Sequence, residues 1–104
     1  MDTTSNTNVE VDKKLTEHYL NMIQYDKLTI ENFDDEELRE KYKTLNREEF
    51  KKISELLKEN KLSNAYFHSL PVYKDNYEET YGLFKQILKL ERKKERQERK
   101  DATE

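Results

Sequence analysis

The chain has 104 residues, 41% of them charged and 33% hydrophobic, with one Gly, one Pro, no Cys, no Trp and a formal charge of −3. A length of this order sets one domain with a modest core, and the absence of cysteine excludes disulfides, thiolate metal sites and thiol nucleophiles. No run approaches the ~18 apolar residues of a membrane span, and MDTTSNTNVE has neither the basic region nor the apolar run of a signal peptide, so a cytoplasmic protein without membrane association is expected.

With many Leu, Lys and Glu and almost no Gly or Pro, the punctuation predicts helices joined by short polar turns. The expected fold is all-α, a small bundle of four to five helices. Residues 1–11 are expected as a disordered tip, 12–90 as the helical domain and 91–104 as a charged helical extension that frays at its end. The first helix is predicted over Asp12–Tyr25, where Leu15, Tyr19, Met22 and Ile23 form an apolar stripe at helical spacing. At Asp34, with Glu37 three residues on and Phe33 and Leu38 flanking, the sequence reads as a capping box with a hydrophobic staple. The same pattern recurs at Asn46, with Glu49, Leu45 and Phe50, so a corner is predicted near Thr44–Asn46 between helices over 35–44 and 47–60. The third of these helices is expected to bury Phe50, Ile53, Leu56 and Leu57.

Ser63 is predicted to cap a short helix that Pro71 stops, because the residue before a proline is driven from helical angles. Val72 and Tyr73 are expected to plug the core from the proline loop. From about Asn76 the last helix is predicted to run some 24 residues, long for a domain of this size. On a wheel at about 100° per residue, Tyr77, Tyr81, Phe84 and Leu88 form one apolar stripe and Leu83, Ile87 and Leu90 another, roughly a right angle or more away. Its first half therefore reads as a wide core-facing helix. After Leu90 only Ala102 is apolar, so the second half is expected to project as a charged arm.

Charge divides the chain: residues 1–40 carry 4 basic and 11 acidic groups, and residues 41–104 carry 16 and 12. On the last helix Lys85, Lys89, Arg92, Lys93, Arg96, Arg99 and Lys100 gather within about 120° of arc, beside an acidic strip of Glu91, Glu95 and Glu98. Such a ridge can track phosphates or dock on an acidic protein surface, although i,i+4 pairing of the same residues also stabilises an exposed helix in its own right. The reversed arrangement permits two such helices to pair antiparallel as a homodimer. The acidic run Asp34–Glu37 lacks the loop spacing and glycine of a calcium hand and suits a helix N-terminus. The surplus of carboxylates over residues 1–40 could also imitate nucleic acid.

Between Ile53 and Leu70 the apolar spacing resembles a helix-turn-helix, with Leu62 in the turn, Leu56, Phe67 and Leu70 inside, and Asn64, Tyr66, His68 and Ser69 on the exposed face. It departs where Leu57 replaces a small residue and Lys61 replaces the usual turn glycine. The same spacing arises in any antiparallel helix pair of a small bundle.

Nothing assembles a reaction centre. His18 and His68 stand 50 residues apart without a metal-binding partner motif, no serine has a base at motif spacing, and a single glycine, Gly82, makes no phosphate-cradling loop. The expectation is a protein without catalytic residues, metal or cofactor. Most of the 7 Tyr and 4 Phe sit at core periodicity, while Tyr66, His68 and Tyr73 lie where a short helix and a proline loop cannot bury every face, which makes them the candidate partner-binding residues. The expected function is a small regulatory protein that binds a larger cytosolic protein, with an accessory nucleic-acid-binding role through the basic ridge as the alternative. The 15 Lys against 5 Arg, with 8 Asn and 2 Ala, fit codon drift in an AT-rich genome such as a low-GC bacterium, its phages or mobile elements.

Overall fold

A computed structural model describes residues 3–103, with side chains described for 9–102. It is all-α: helix α1 spans Thr3–Glu31, α2 Glu36–Glu59, α3 Asn64–His68 and α4 Pro71–Thr103. The molecule is a rod of 71 × 23 × 20 Å. Helix α1 is its centre, packed along both α2 and α4. The cross-links Tyr25–Tyr42, Met22–Asn46 and His18–Glu49 show that α2 runs antiparallel to α1. The core is Val11, Leu15, Tyr19 and Ile23 of α1 against Ile53 and Leu57 of α2, with Phe67 and Leu70 closing the lower end.

Several boundaries differ from the sequence expectation, each for a physical reason. Helix α1 begins at Thr3, not near Asp12, and extends to Glu31. Of the tip expected to be disordered, Met1 and Asp2 lie outside the described residues, while Val11 belongs to the core. The cap of α2 is Asp35 rather than Asp34: its backbone is extended and its carboxylate accepts from the Leu38 N–H at 3.1 Å. Phe33, two residues before this cap, is buried, and the buried Arg39 donates to its carbonyl at 2.8 Å and lies 5.1 Å over its ring.

The corner expected near Thr44–Asn46 does not exist, and α2 is one continuous helix. The residues that imitate a second cap are turned into α1 instead. Asn46 donates to the Met22 carbonyl at 2.9 Å and the Asp26 carboxylate at 3.2 Å. Glu49, buried, accepts from His18 Nδ1 at 2.5 Å and Asn21 Nδ2 at 3.3 Å. With no Gly or Pro in the segment, nothing opposes continuation of the helix.

Helix α2 ends in a Schellman motif: the Leu62 N–H bonds the Leu57 carbonyl at 2.8 Å and the Lys61 N–H bonds Lys58 at 3.1 Å. Lys61 takes the left-handed position, φ 57°, where glycine is the usual residue, and leucine 62 packs back on the core. Ser63 caps α3 as expected, accepting from the Tyr66 N–H at 3.3 Å. Pro71, however, opens α4 rather than leading a loop: a first-turn proline forfeits no helical hydrogen bond. Val72 and Tyr73 pack on the core from that first turn.

Of its two apolar stripes, α4 directs Leu83, Ile87 and Leu90 towards the bundle, each partly buried. The expected core residues Tyr77, Tyr81 and Phe84 are 52%, 52% and 59% exposed, and Phe50 of α2 is 55% exposed. The charged half of α4 does not leave the bundle at Leu90: Glu91 accepts from Lys43 of α2 at 3.0 Å, and Leu90, Lys93, Lys94 and Asp101 border a shallow trough against Phe33 and Asp34. From Glu95 to Ala102 every side chain is exposed. Among the described residues no helix is long and apolar enough to cross a membrane.

Candidate functional site: an aromatic groove between two helices

Because α4 packs on α1 and not along α2, a groove of about 380 Å³ opens between them. Tyr19 and Met22 of α1 form its floor together with Ile53 and Leu57 of α2. Phe50 stands on the α2 wall, and Tyr73, Tyr77, Tyr81 and Phe84 form the α4 wall. Phe67, Asn64 and His68 of α3 close the lower end, and beyond the upper end the Lys43–Glu91 ion pair bridges the two walls. Among the described residues four of the six exposed large hydrophobics, Phe50, Tyr77, Tyr81 and Phe84, border this one groove, whereas apolar surface exposed singly has no such meaning.

The aromatic rings support one another. Tyr73 is packed by Tyr19, Phe67 and Tyr77 with centroids 5.5, 5.5 and 5.9 Å away, and His68 stacks on it at 4.5 Å. Tyr77 and Tyr81 are parallel at 6.3 Å, and the Lys85 ammonium lies 4.9 Å over the outer ring. Neighbouring rings or a cation thus lie against Tyr73, Tyr77 and Tyr81, whereas Phe50 and Phe84 leave 55% and 59% of their surface open. Thr80 donates to the Asn76 carbonyl at 2.7 Å, which leaves the Tyr19 hydroxyl to donate to Thr80 Oγ1 at 2.9 Å; burial of that phenol raises its pKa. Among the described residues every buried side-chain nitrogen and oxygen has a hydrogen-bond partner, and the floor of Tyr19, Met22, Ile53 and Leu57 is largely buried and apolar.

Of the residues singled out from sequence, His68 and Tyr73 line the groove. Tyr66 does not: its hydroxyl donates to the Asp12 carboxylate, tying α3 to α1 and raising the phenol pKa. The helix-turn-helix reading loses its reading helix, because α3 has only 5 residues and Tyr66, on its supposed outer face, is engaged with α1. Lys85, Lys89, Arg92, Arg96 and Arg99 do share one strip of α4, with Leu88 and Glu95 among them; Arg99 donates to Glu95 at 2.7 Å. Lys93 lies apart, on the side of α4 that faces Phe33 and Asp34, and Lys100 is exposed near the end of the helix.

Phe50, Tyr77, Tyr81 and Phe84 were legible as an apolar set but not as a surface, since periodicity identifies a stripe and not what covers it. The one histidine–carboxylate pair among the described residues, His18–Glu49, joins α1 to α2 and does not line the groove. No group of three or more His, Asp or Glu side chains among the described residues could hold a metal ion. No protein-family model, curated protein or solved structure matches this chain.

Proposed function

We propose that this chain is a small non-enzymatic binding protein that regulates a larger protein by occupying a surface on it, with the groove between α2 and α4 as its contact. The observation that carries this reading is the gathering of Phe50, Tyr77, Tyr81 and Phe84, each more than half exposed, around one groove. Aromatic side chains over a buried apolar floor are the usual anchors of protein interfaces, because they bury much area for little conformational entropy. A groove of apolar and aromatic residues with Thr80, Ser54 and Asn64 at its edges offers partner side chains a dry seat with a few polar contacts.

Capture from a low-GC bacterial lysate with tagged wild type and tagged Phe84→Glu, each with and without nuclease, tests the proposal. Wild type retains a stoichiometric protein after nuclease treatment and Phe84→Glu retains little of it, at unchanged helicity. Equal retention by both would remove the groove from the account. A second reading, nucleic-acid binding, is favoured by the strip of Lys85, Lys89, Arg92, Arg96 and Arg99. It predicts recovery that nuclease abolishes and that falls steeply with salt, as counterion release requires.

A further inference from the structure

We propose that the groove receives an acidic amphipathic helix supplied by the partner protein, an inference that rests on the groove being the contact surface. Three observations lead there: the shape of the groove, the chemistry of its walls and the charge of its rims.

The groove lies between two helical walls over a helical floor, so it is the vacant fourth position of a helix bundle. Along α4 the wall from Tyr73 to Phe84 is about 16 Å long at 1.5 Å per residue, enough for about three turns of a docked helix. Such a helix would present anchors at i, i+3, i+4 and i+7, the pattern with which amphipathic helices fill apolar grooves.

The walls suit aliphatic anchors. Tyr73 is packed against Tyr19, Phe67 and His68, Tyr77 lies parallel to Tyr81, and Lys85 sits over the Tyr81 ring, while Phe50 and Phe84 hold open apolar surface on the two walls. With Met22, Ile53 and Leu57 beneath them, these side chains make a continuous apolar seat for Leu, Ile or Met; a single strand would instead stack its bases on open ring faces, and the test includes it as the competing occupant.

The rims are basic on both sides. Along the stretch of α2 that borders the groove, Arg47, Lys51 and Lys58 fall within about 100° of Phe50 on its solvent side, and no carboxylate does. Along the stretch of α4 that borders the groove, Lys74 and Lys85 fall within about 80° of Tyr77 on the corresponding side, with Glu78, at about 100°, the nearest carboxylate. All five cations are exposed. This local excess stands against a chain whose net charge is −3; it is therefore a property of this face, and it selects for carboxylates flanking the apolar anchors and against basic helices.

The test uses the full chain and two fluorescein-labelled peptides of about 18 residues with the same leucine anchors at helical spacing, one with glutamates and one with lysines at the remaining positions. The glutamate peptide binds at least about tenfold more tightly than the lysine peptide, weakens several-fold between low and moderate salt, and is lost on Phe84→Glu. Arg47→Glu with Lys51→Glu reverses the preference. Equal affinity for the two peptides, no binding of the glutamate peptide at millimolar concentration, displacement of it by a single-stranded oligonucleotide, or occupation of the groove by a second copy (a doubled mass in light scattering that Phe84→Glu halves) would each overturn the proposal. If the peptides fail while lysate capture still depends on Phe84, the groove remains the contact surface and only the acidic helix is wrong.

Discussion

Leu15→Ala lowers the unfolding free energy by about 3 kcal/mol, within the range measured for removing a leucine from a packed core, whereas Phe50→Ala changes it by less than about 0.5 kcal/mol, as surface substitutions do. Leu15 is fully buried, at 0% exposure, at the centre of the α1–α2–α3 core; the lost methyl groups leave a cavity that neighbouring helices cannot fill without moving. Phe50 lies on the groove wall with more than half its surface in water, so its loss removes little that folding had buried. A chain this small has a total stability of only several kcal/mol, and the first substitution consumes a large part of it. Urea melts followed by circular dichroism read both. Comparable losses for the two variants would mean that Phe50 is covered in the folded protein, by the chain itself or by a second copy.

Asp26→Asn stabilises the protein at pH 8 and has no such effect near pH 4. The Asp26 carboxyl sits between α1 and α2, accepting from Asn46, and burial pushes its pKa up to about 6 from an ordinary 3.8. The folded state therefore binds the proton more tightly than the unfolded state. Above about pH 6 the buried carboxylate is a cost to folding; as pH falls from about 6 towards 4 the folded protein takes up the proton first and this cost is relieved. Two pH units correspond to nearly 3 kcal/mol, but the group remains partly open to solvent, which screens it, and about 1 kcal/mol is expected. An asparagine keeps an oxygen to accept from Asn46 and never carries the charge. Melts of both proteins from pH 4 to pH 8 should diverge as pH rises; parallel curves would show that Asp26 is solvated.

The fold class, the α1 stripe, the Ser63 cap and the long last helix were legible because each depends on local spacing and local hydrogen bonds. Errors came where tertiary contacts decide between equivalent local readings. Asn46 and Glu49 have the spacing of a helix start, yet both find better partners on α1 in Met22, Asp26, His18 and Asn21. Asp34 and Asp35 are both competent caps, and the inward turn of Phe33 under Arg39 selects the second. Pro71 ends one helix or starts another with equal ease, so local spacing alone does not show that Tyr73 belongs to the first turn of α4. Most consequential is α4, whose two apolar stripes look alike on a wheel. The stripe of Leu83, Ile87 and Leu90 is turned towards the bundle, which leaves the Tyr77–Tyr81–Phe84 stripe outward, beside Phe50. His68 and Tyr73 were named from sequence for their position beside a short helix, and they fall at the closed end of the same groove.

The central claim is that partner contact runs through this groove, and site-specific photo-crosslinking in cells tests it most directly. A photoreactive phenylalanine analogue is placed in turn at Phe50, at Phe84, at Arg99 on the charged half of α4, and at Leu20, an exposed α1 residue outside the groove. The account predicts one shared protein adduct from Phe50 and Phe84 and none from Leu20. Adducts from Arg99 alone, or nucleic-acid adducts in place of protein, would contradict it.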